Sequence, residues 1–295
     1  MPVEFSDVKE GFVVSNFDKT KAYVFQENAI SLSRLPTETP KCYSKEVYLD
    51  KAEKFITQIQ ENGLSKAIFS RVKSHPSEKN TDEVFEALQK KYPSAFVYLI
   101  SSDFFGTWIG ATPETLITCD GDKGETVALA GTKKTHDNST WGEKEKFEQQ
   151  FVTDFIESQL ESLSLKSISK DGPKDRVAGP VKHLETNFEF SMKGVEPIVI
   201  ADKLHPTPAV SGLPRKEAIE LINSIEDHDR SLYAGCIGIV GEQTKLFVNL
   251  RCAQYLDQEY FLYLGGGFTK DSESMKEWEE TENKSRTLLD ILENS

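Results

Sequence analysis

Four carboxylates and one lysine stand where their spacing could do chemistry: Glu114 in GATPETL, Glu148 in EKFEQQFVTDFI, Glu277 and Glu280 in KEWEETENK, and Lys66 in KAIFSR. Residues three, four and seven apart share one side of a helix, so Glu277, Glu280 and Lys284 fall together while Glu279 and Glu282 point elsewhere. Alone, that pattern is a solvated face with an incidental Glu–Lys pair. Glu148 adds weight, because it lies a turn before the apolar stripe Phe151, Val152, Phe155 and Ile156 and on the same side. A carboxylate on a buried face must be paired, protonated or bound to a cation. A salt bridge to lysine or arginine would satisfy it. Three carboxylates from two helices also suit a hard cation that takes oxygen ligands and keeps waters, which describes Mg²⁺.

Lys66 opens a β-rich run that places it on the side of Ile68 and Ser70. Most lysines at strand starts are solvated; one held beside an apolar wall and other cations can serve as a base. Glu114 follows a proline in a turn between strands, either as an exposed turn residue or as a protonated general acid. Strict alternation in LFVNLRCA puts Asn249 and Arg251 on one face, where the arginine is either a core ion pair or a fork for a carboxylate. Gly265, Gly266 and Gly267 favour the fork, since glycines at a strand end let a ligand approach backbone N–H groups.

The elements that must position these groups are legible in outline. Helices are expected over about 49–62, 82–91 and 143–163, over PRKEAIELINSI, and over SMKEWEETENKSRTLLDIL. Short strands broken by polar turns, including the turn Leu35–Pro40, fill residues 1–48. AFVYLI, FFGTWIG, TLITCD, TVALAG, HLETNFEFSMKG, YAGCIGIVG, KLFVNLRCAQYL and EYFLYLGGGF read as strands, with GDKGE a hairpin turn. KSISKDGPKDRVAGP, 166–180, reads as a mobile loop or linker. Hairpin-joined strands punctuated by helices make an α+β protein with large, mostly antiparallel sheets flanked by helices.

The 295-residue chain can bury a substantial core, and its formal net charge of −13 disfavours nucleic acid and anionic membranes as partners. No signal-peptide pattern and no span-length apolar segment is legible, so a cytoplasmic protein without membrane contact is expected. The oligomeric state stays open, with a monomer preferred. Cys42, Cys119, Cys236 and Cys252 form no CxxC pair and are expected to be buried free thiols; the five histidines show no metal-site spacing.

Together these stretches resemble the chorismate-utilising enzymes, and within them the isochorismate synthases. The match runs from KAIFSR through GATPETL, ALAGTKK, EKFEQQFVTDFI, HLET, LHPTPAVSGLPR, LYAGCIGIVG, NLRCA and LGGGF to EWEETENK, covering most of the chain after residue 65. The resemblance implies a chorismate-binding fold, with 1–65 a short N-terminal part of the sheet and 66–295 the catalytic region of one integrated domain. It also implies roles: Lys66 as the base that activates water, Glu114 as the acid that protonates the departing hydroxyl, and Glu148, Glu277 and Glu280 as the Mg²⁺ site. Tyr233, Arg251, Lys284 and the backbone of Gly265, Gly266 and Gly267 would hold the carboxylates of chorismate. Ala130, Gly131, Thr132, His183 and Ala209 would complete the substrate pocket.

LHPTPAVSGLPR holds three prolines in twelve residues and almost no charge. By resemblance it forms a rigid wall beside the substrate ring, small and apolar at Ala209 and Val210, which favours water as nucleophile and isochorismate as product, for menaquinone in preference to a siderophore. Salicylate synthase, aminodeoxychorismate or anthranilate synthase component I, and a non-catalytic chorismate-fold subunit are the alternatives. AGTKK in place of the commoner AGTRPR, Gln149 where relatives often carry histidine, and the short region before Lys66 depart from the family pattern.

Overall fold

The computed structural model describes residues 2–25, 38–137, 139–178 and 181–293. Its strands are β1 (Gly11–Ser15), β2 (Ala22–Phe25), β3 (Lys66–Pro76), β4 (Phe96–Ser102), β5 (Gly106–Thr112), β6 (Thr115–Asp120) and β7 (Lys123–Lys134). They continue with β8 (Lys166–Ala178), β9 (Val181–Ser191), β10 (Gly212–Leu213), β11 (Cys236–Val240), β12 (Gln243–Val248), β13 (Cys252–Leu256) and β14 (Glu259–Phe268). The helices are α1 (Lys45–Glu61), α2 (Thr81–Lys91), α3 (Glu143–Ser162), α4 (Pro197–Leu204), α5 (Arg215–Ile225) and α6 (Ser274–Leu292).

The strands form an eight-stranded sheet in the order β2-β1-β11-β12-β6-β7-β9-β8 and a six-stranded sheet in the order β10-β3-β14-β13-β5-β4. Every pairing between these strands is antiparallel. Local chemistry sets the corners: Asp257 and Gln258, both at positive φ, make the two-residue turn between β13 and β14. The main core joins Phe69 and Trp108 of the smaller sheet to Ile117, Phe188 and Leu246 of the larger. Alternation puts Ile109 and Leu262 on the opposite face of the smaller sheet, where they meet Leu88 of α2 and Leu288 and Leu289 of α6.

Helix α1 begins four residues earlier than expected because the Ser44 hydroxyl caps it, accepting from Val47 N at 3.3 Å. β1 pairs with β11, so the N-terminal segment is built into the larger sheet. Residues 35–37 of the expected Leu35–Pro40 turn lie outside the described residues, as do 179–180 of the expected loop.

The expected loop at 166–180 is instead strand β8, paired along β9. Its register shifts at Lys166/Ser169 and Asp171/Lys174 absorb Gly172 and Pro173. An edge strand tolerates a proline without N–H and gains protection from its lysines. Pro197–Leu204, not anticipated as a helix, is α4, opened by a proline at its first turn and burying Ile198, Ile200, Ala201 and Leu204. On α3 the inward stripe runs through Gln149, Val152, Thr153, Ile156 and Leu160, while Phe151 is 45% exposed. Glu148 is thus at the edge of the buried face, half-buried, and not on its centre. Cys119, Cys236 and Cys252 are buried free thiols, but Cys42 is exposed.

Candidate active site

The chain passes between the two sheets at Pro113–Glu114, from β5 to β6, and again at Asn249–Arg251, from β12 to β13. The crossings are fastened to each other: Val248 N donates to Glu114 O (2.9 Å), Thr112 Oγ1 to Val248 O (2.5 Å) and Ala111 N to Arg251 O (3.2 Å). Continuous alternation through LFVNLRCA therefore does not hold, because the strand ends at Val248 and Arg251 sits at φ 51. Asn249 does not share a face with Arg251. It is fully buried and pins the corner, accepting from Tyr98 Oη (2.6 Å) and donating through Nδ2 to Leu232 O (2.9 Å). A buried amide bonded through both its oxygen and its nitrogen specifies one geometry for the corner that carries Arg251 beside Glu114.

Glycines at 265–267 leave room there that any side chain would fill. A Cβ on Gly265 would come within 2.6 Å of Tyr233 Oη, and one on Gly267 within 2.6 Å of Lys66 Cε. A Cβ on Gly266 would stand 3.1 Å from Glu277 Oε2. Lys66 opens β3, which pairs with β14 so that Ile68 faces Gly267 and Ser70 faces Gly265. Lys284 of α6 reaches the same strand, donating to Gly265 O at 2.8 Å. Lys66 and Tyr233 thus meet the face shared by Gly265 and Gly267, Glu277 stands against Gly266 on the other face, and Lys284 reaches the Gly265 carbonyl between them, with Glu114 and Arg251 close enough to couple to these charges.

Electrostatics within the seam are coupled. Burial pushes the Glu114 carboxyl up to about 7, against the pull of Lys66, Arg251 and Lys284. Burial lowers the Lys284 ammonium, with Arg251 and Lys66 adding to the effect and Glu280 opposing it. Burial likewise lowers the Arg251 guanidinium and raises the Tyr233 phenol. For Glu280, burial would raise the carboxyl, but Lys284, Lys66 and Arg251 outweigh it and hold the group below its ordinary value. A protein of net charge −13 thereby carries a local cluster of three cations around one protonatable carboxyl.

The three carboxylates assigned to a metal are differently placed. Glu277 and Glu280 lie one turn apart on α6; Glu277 accepts from Ser272 Oγ (2.7 Å) and Glu280 from Lys284 Nζ (2.5 Å). Glu148 is carried by α3, whose inward Gln149 donates to Ala128 O and Thr186 Oγ1, both at 3.1 Å. Among the described residues no three His, Cys, Asp or Glu side chains gather into a metal-binding group. The all-oxygen donor set and the position of Glu277 against Gly266 fit a hard cation in kind.

Gly131 is a bulge in β7 between Ala130 and Thr132, at φ 65. Its carbonyl meets His183 Nδ1 at 3.0 Å, and burial lowers the imidazole below its ordinary value, leaving it neutral near pH 7. Ala209 is half-buried in the turn that follows Thr207. Two residues with buried charged side chains, Glu226 and Arg230, belong to none of the expected site residues; the charged run EDHDR, separated from YAG by Ser231 and Leu232, is the signal that could have found them.

A family described as "Chorismate binding enzyme" matches residues 13–293. Isochorismate synthase EntC of Escherichia coli (strain K12) is 27% identical over 244 residues, covering 78% of this chain and 62% of the relative. Anthranilate synthase component 1 of Aquifex aeolicus is 26% identical over 270 residues, covering 85% of this chain and 54% of the relative. The chain thus spans about half to three-fifths of the length of these curated relatives. The solved structure of DhbC from Bacillus anthracis superposes with TM-score 0.81 at 24% identity, covering 97% of this chain and 84% of that one.

Proposed function

The chain belongs to the family of chorismate-binding enzymes, and from that premise we propose that it converts chorismate to isochorismate. The observation that carries this reading is the glycine-floored seam, in which Lys66, Arg251 and Lys284 surround a carboxyl raised to about 7. Chorismate bears two carboxylates, and Arg251 with Lys284 offers the forked and point-charge donors that such groups take. Lys66 would remove a proton from water as it adds at C2. Glu114 would give a proton to the C4 hydroxyl as it leaves, so one water enters and one departs. Glu277 and Glu280, with Glu148 if α3 closes on them, would hold Mg²⁺. When bound, the ion would supply positive charge to the ring carboxylate. Among pathways that consume isochorismate we favour menaquinone synthesis, the relatives named MenF being the support.

Chromatography of protein incubated with chorismate and Mg²⁺ tests the proposal. Isochorismate approaching an equilibrium mixture is expected; absence of that product from an otherwise folded protein defeats it. Lys66→Ala and Glu114→Gln should each lower turnover by roughly 100-fold or more while substrate binding persists. Because Glu114 must be protonated to act, turnover should fall as pH rises through about 7, and the residual activity of Glu114→Gln should lack that limb. A second reading, amination of chorismate, draws on the similarity to anthranilate synthase component 1. Anthranilate or aminodeoxychorismate formed in the presence of ammonia would favour it.

A further inference from the structure

Strand β3 loses its neighbour just where the site begins. β10 pairs with it only at Gly212↔Ala67 and Leu213↔Lys66, after which Ile68 N donates to Ser211 O at 3.0 Å. Beyond that point the same edge would present the Ile68 carbonyl and the Ser70 amide to the interior, where unpaired backbone groups are rarely tolerated. Two side chains meet them instead. Arg230 Nη2 donates to Ile68 O (2.8 Å), and Glu226 Oε1 accepts from Ser70 N (2.6 Å) and Ser70 Oγ (2.8 Å).

The two side chains are joined as a fork, Nε to Oε2 at 2.8 Å and Nη2 to Oε1 at 2.7 Å, and both are buried, 5% and 3% exposed. Arg230 Nη1 donates to Val210 O (3.0 Å), its guanidinium lies 4.4 Å from the centre of the Phe17 ring, and its own carbonyl accepts from Tyr233 N (2.8 Å). Across β3 the partners of Ile68 and Ser70 are Gly267 and Gly265. One ion pair therefore fastens the strand that begins at Lys66, the Val210 end of the proline-rich wall, and the turn carrying Tyr233.

We propose that Glu226 and Arg230 are positioning residues that stand in for a missing strand on β3 and set the distance between Lys66 and the Val210 wall. A true strand could not do both tasks, because the chain has to turn away at Thr207–Ser211 to form that wall, which the bonds from Val210 N and Ser211 N to Thr207 O hold closed. A guanidinium reaches Ile68, Val210 and Glu226 at once; an ammonium on a flexible stem cannot keep those directions together. This inference rests on the reading of the seam as a chorismate site.

The test compares wild type with Arg230→Lys and Glu226→Gln, with chorismate and Mg²⁺, at a temperature where each variant is folded. Misplacing the base should slow chemistry and spare binding, so kcat should fall about 10- to 100-fold with KM within about threefold. Amide exchange should accelerate at Ile68, Ser70 and Ser211 while α3 keeps its protection. A pair with a purely structural role would lower Tm and leave kcat of the folded variant unchanged, and that result overturns the inference. Should Arg230→Lys not fold, Glu226→Gln carries the same comparison, since it preserves shape. A wild type inert on chorismate overturns the functional reading and this inference together; an active wild type with unchanged kcat in a folded variant overturns this inference alone.

Discussion

Helix α6 supplies Glu277, Glu280 and Lys284 and helix α3 supplies Glu148, yet the two are held to their sheets by different chemistry. Behind its functional face α6 meets Arg71, a β3 residue that is 1% exposed. Arg71 lies 3.8 Å from the centre of the Trp278 ring, donates to Thr281 Oγ1 (2.9 Å) and pairs with Glu282, which Lys73 also holds (2.6 Å). Helix α3 is pinned by the amide of Gln149, and it turns Phe147 and Phe151 outward, 59% and 45% exposed. Charge-assisted bonds are stronger and more directional than neutral ones, so α6 presents its carboxylates at fixed positions. Glu277 stands against Gly266 and Glu280 holds Lys284, which reaches the Gly265 carbonyl, while among the described residues Glu148 is not gathered with them into a metal-binding group.

The sharpest way to break this contrast is to remove the α6 anchor. Arg71→Met should destabilise the protein by about 2–3 kcal/mol, below the roughly 3–5 kcal/mol for breaking a fully buried pair because Glu282 can still reach Lys73 and solvent. Denaturant unfolding reads it, and a loss below 1 kcal/mol would mean α6 is held mainly by its leucines. Next in size is the metal requirement. Glu280→Ala should raise the Mg²⁺ concentration for half-maximal turnover by roughly 10-fold or more, and Glu148→Ala should do so only if α3 closes onto the ion with substrate. Equal shifts would place the two helices on the same footing in the working complex; an unchanged titration in Glu280→Ala would take that residue out of the metal site. The smallest effect belongs to Phe151→Ser, expected to alter stability by about 0.5 kcal/mol or less because the ring is a surface group. A larger loss would restore Phe151 to the core of α3.

Periodicity served where one neighbour decides a residue's environment and failed where two sheets meet. The inward leucines of α6 and the Glu280–Lys284 pair follow from helical spacing alone, and both are present. Residues 248–252 obey no period, because the chain leaves one sheet for another at Asn249, and a pattern rule assumes a continuous strand. The 166–178 stretch looked like a linker for a related reason: its Gly, Pro and charges are turn-forming in general and acceptable on a sheet edge in particular. Whether Phe151 or Gln149 faces inward on α3 is a rotation of only about 80°, with Val152 and Ile156 inward either way. Only the packing of β7 and β9 beneath the helix selected Gln149.

By itself the sequence determined every helix but α4, most strands, the antiparallel α+β class and, through the order of its motifs, the family. Those properties depend on spacing and residue type along the chain, which short-range sterics and amphipathicity translate directly. The tertiary structure alone decided that Glu114 and Arg251 lie at the two crossings between sheets, that the Lys66 side chain lies over Gly267, and that Glu226 and Arg230 complete the edge of β3. Each of these joins segments distant in the chain, and its cost or benefit depends on buried charges and backbone groups finding partners that no local pattern encodes.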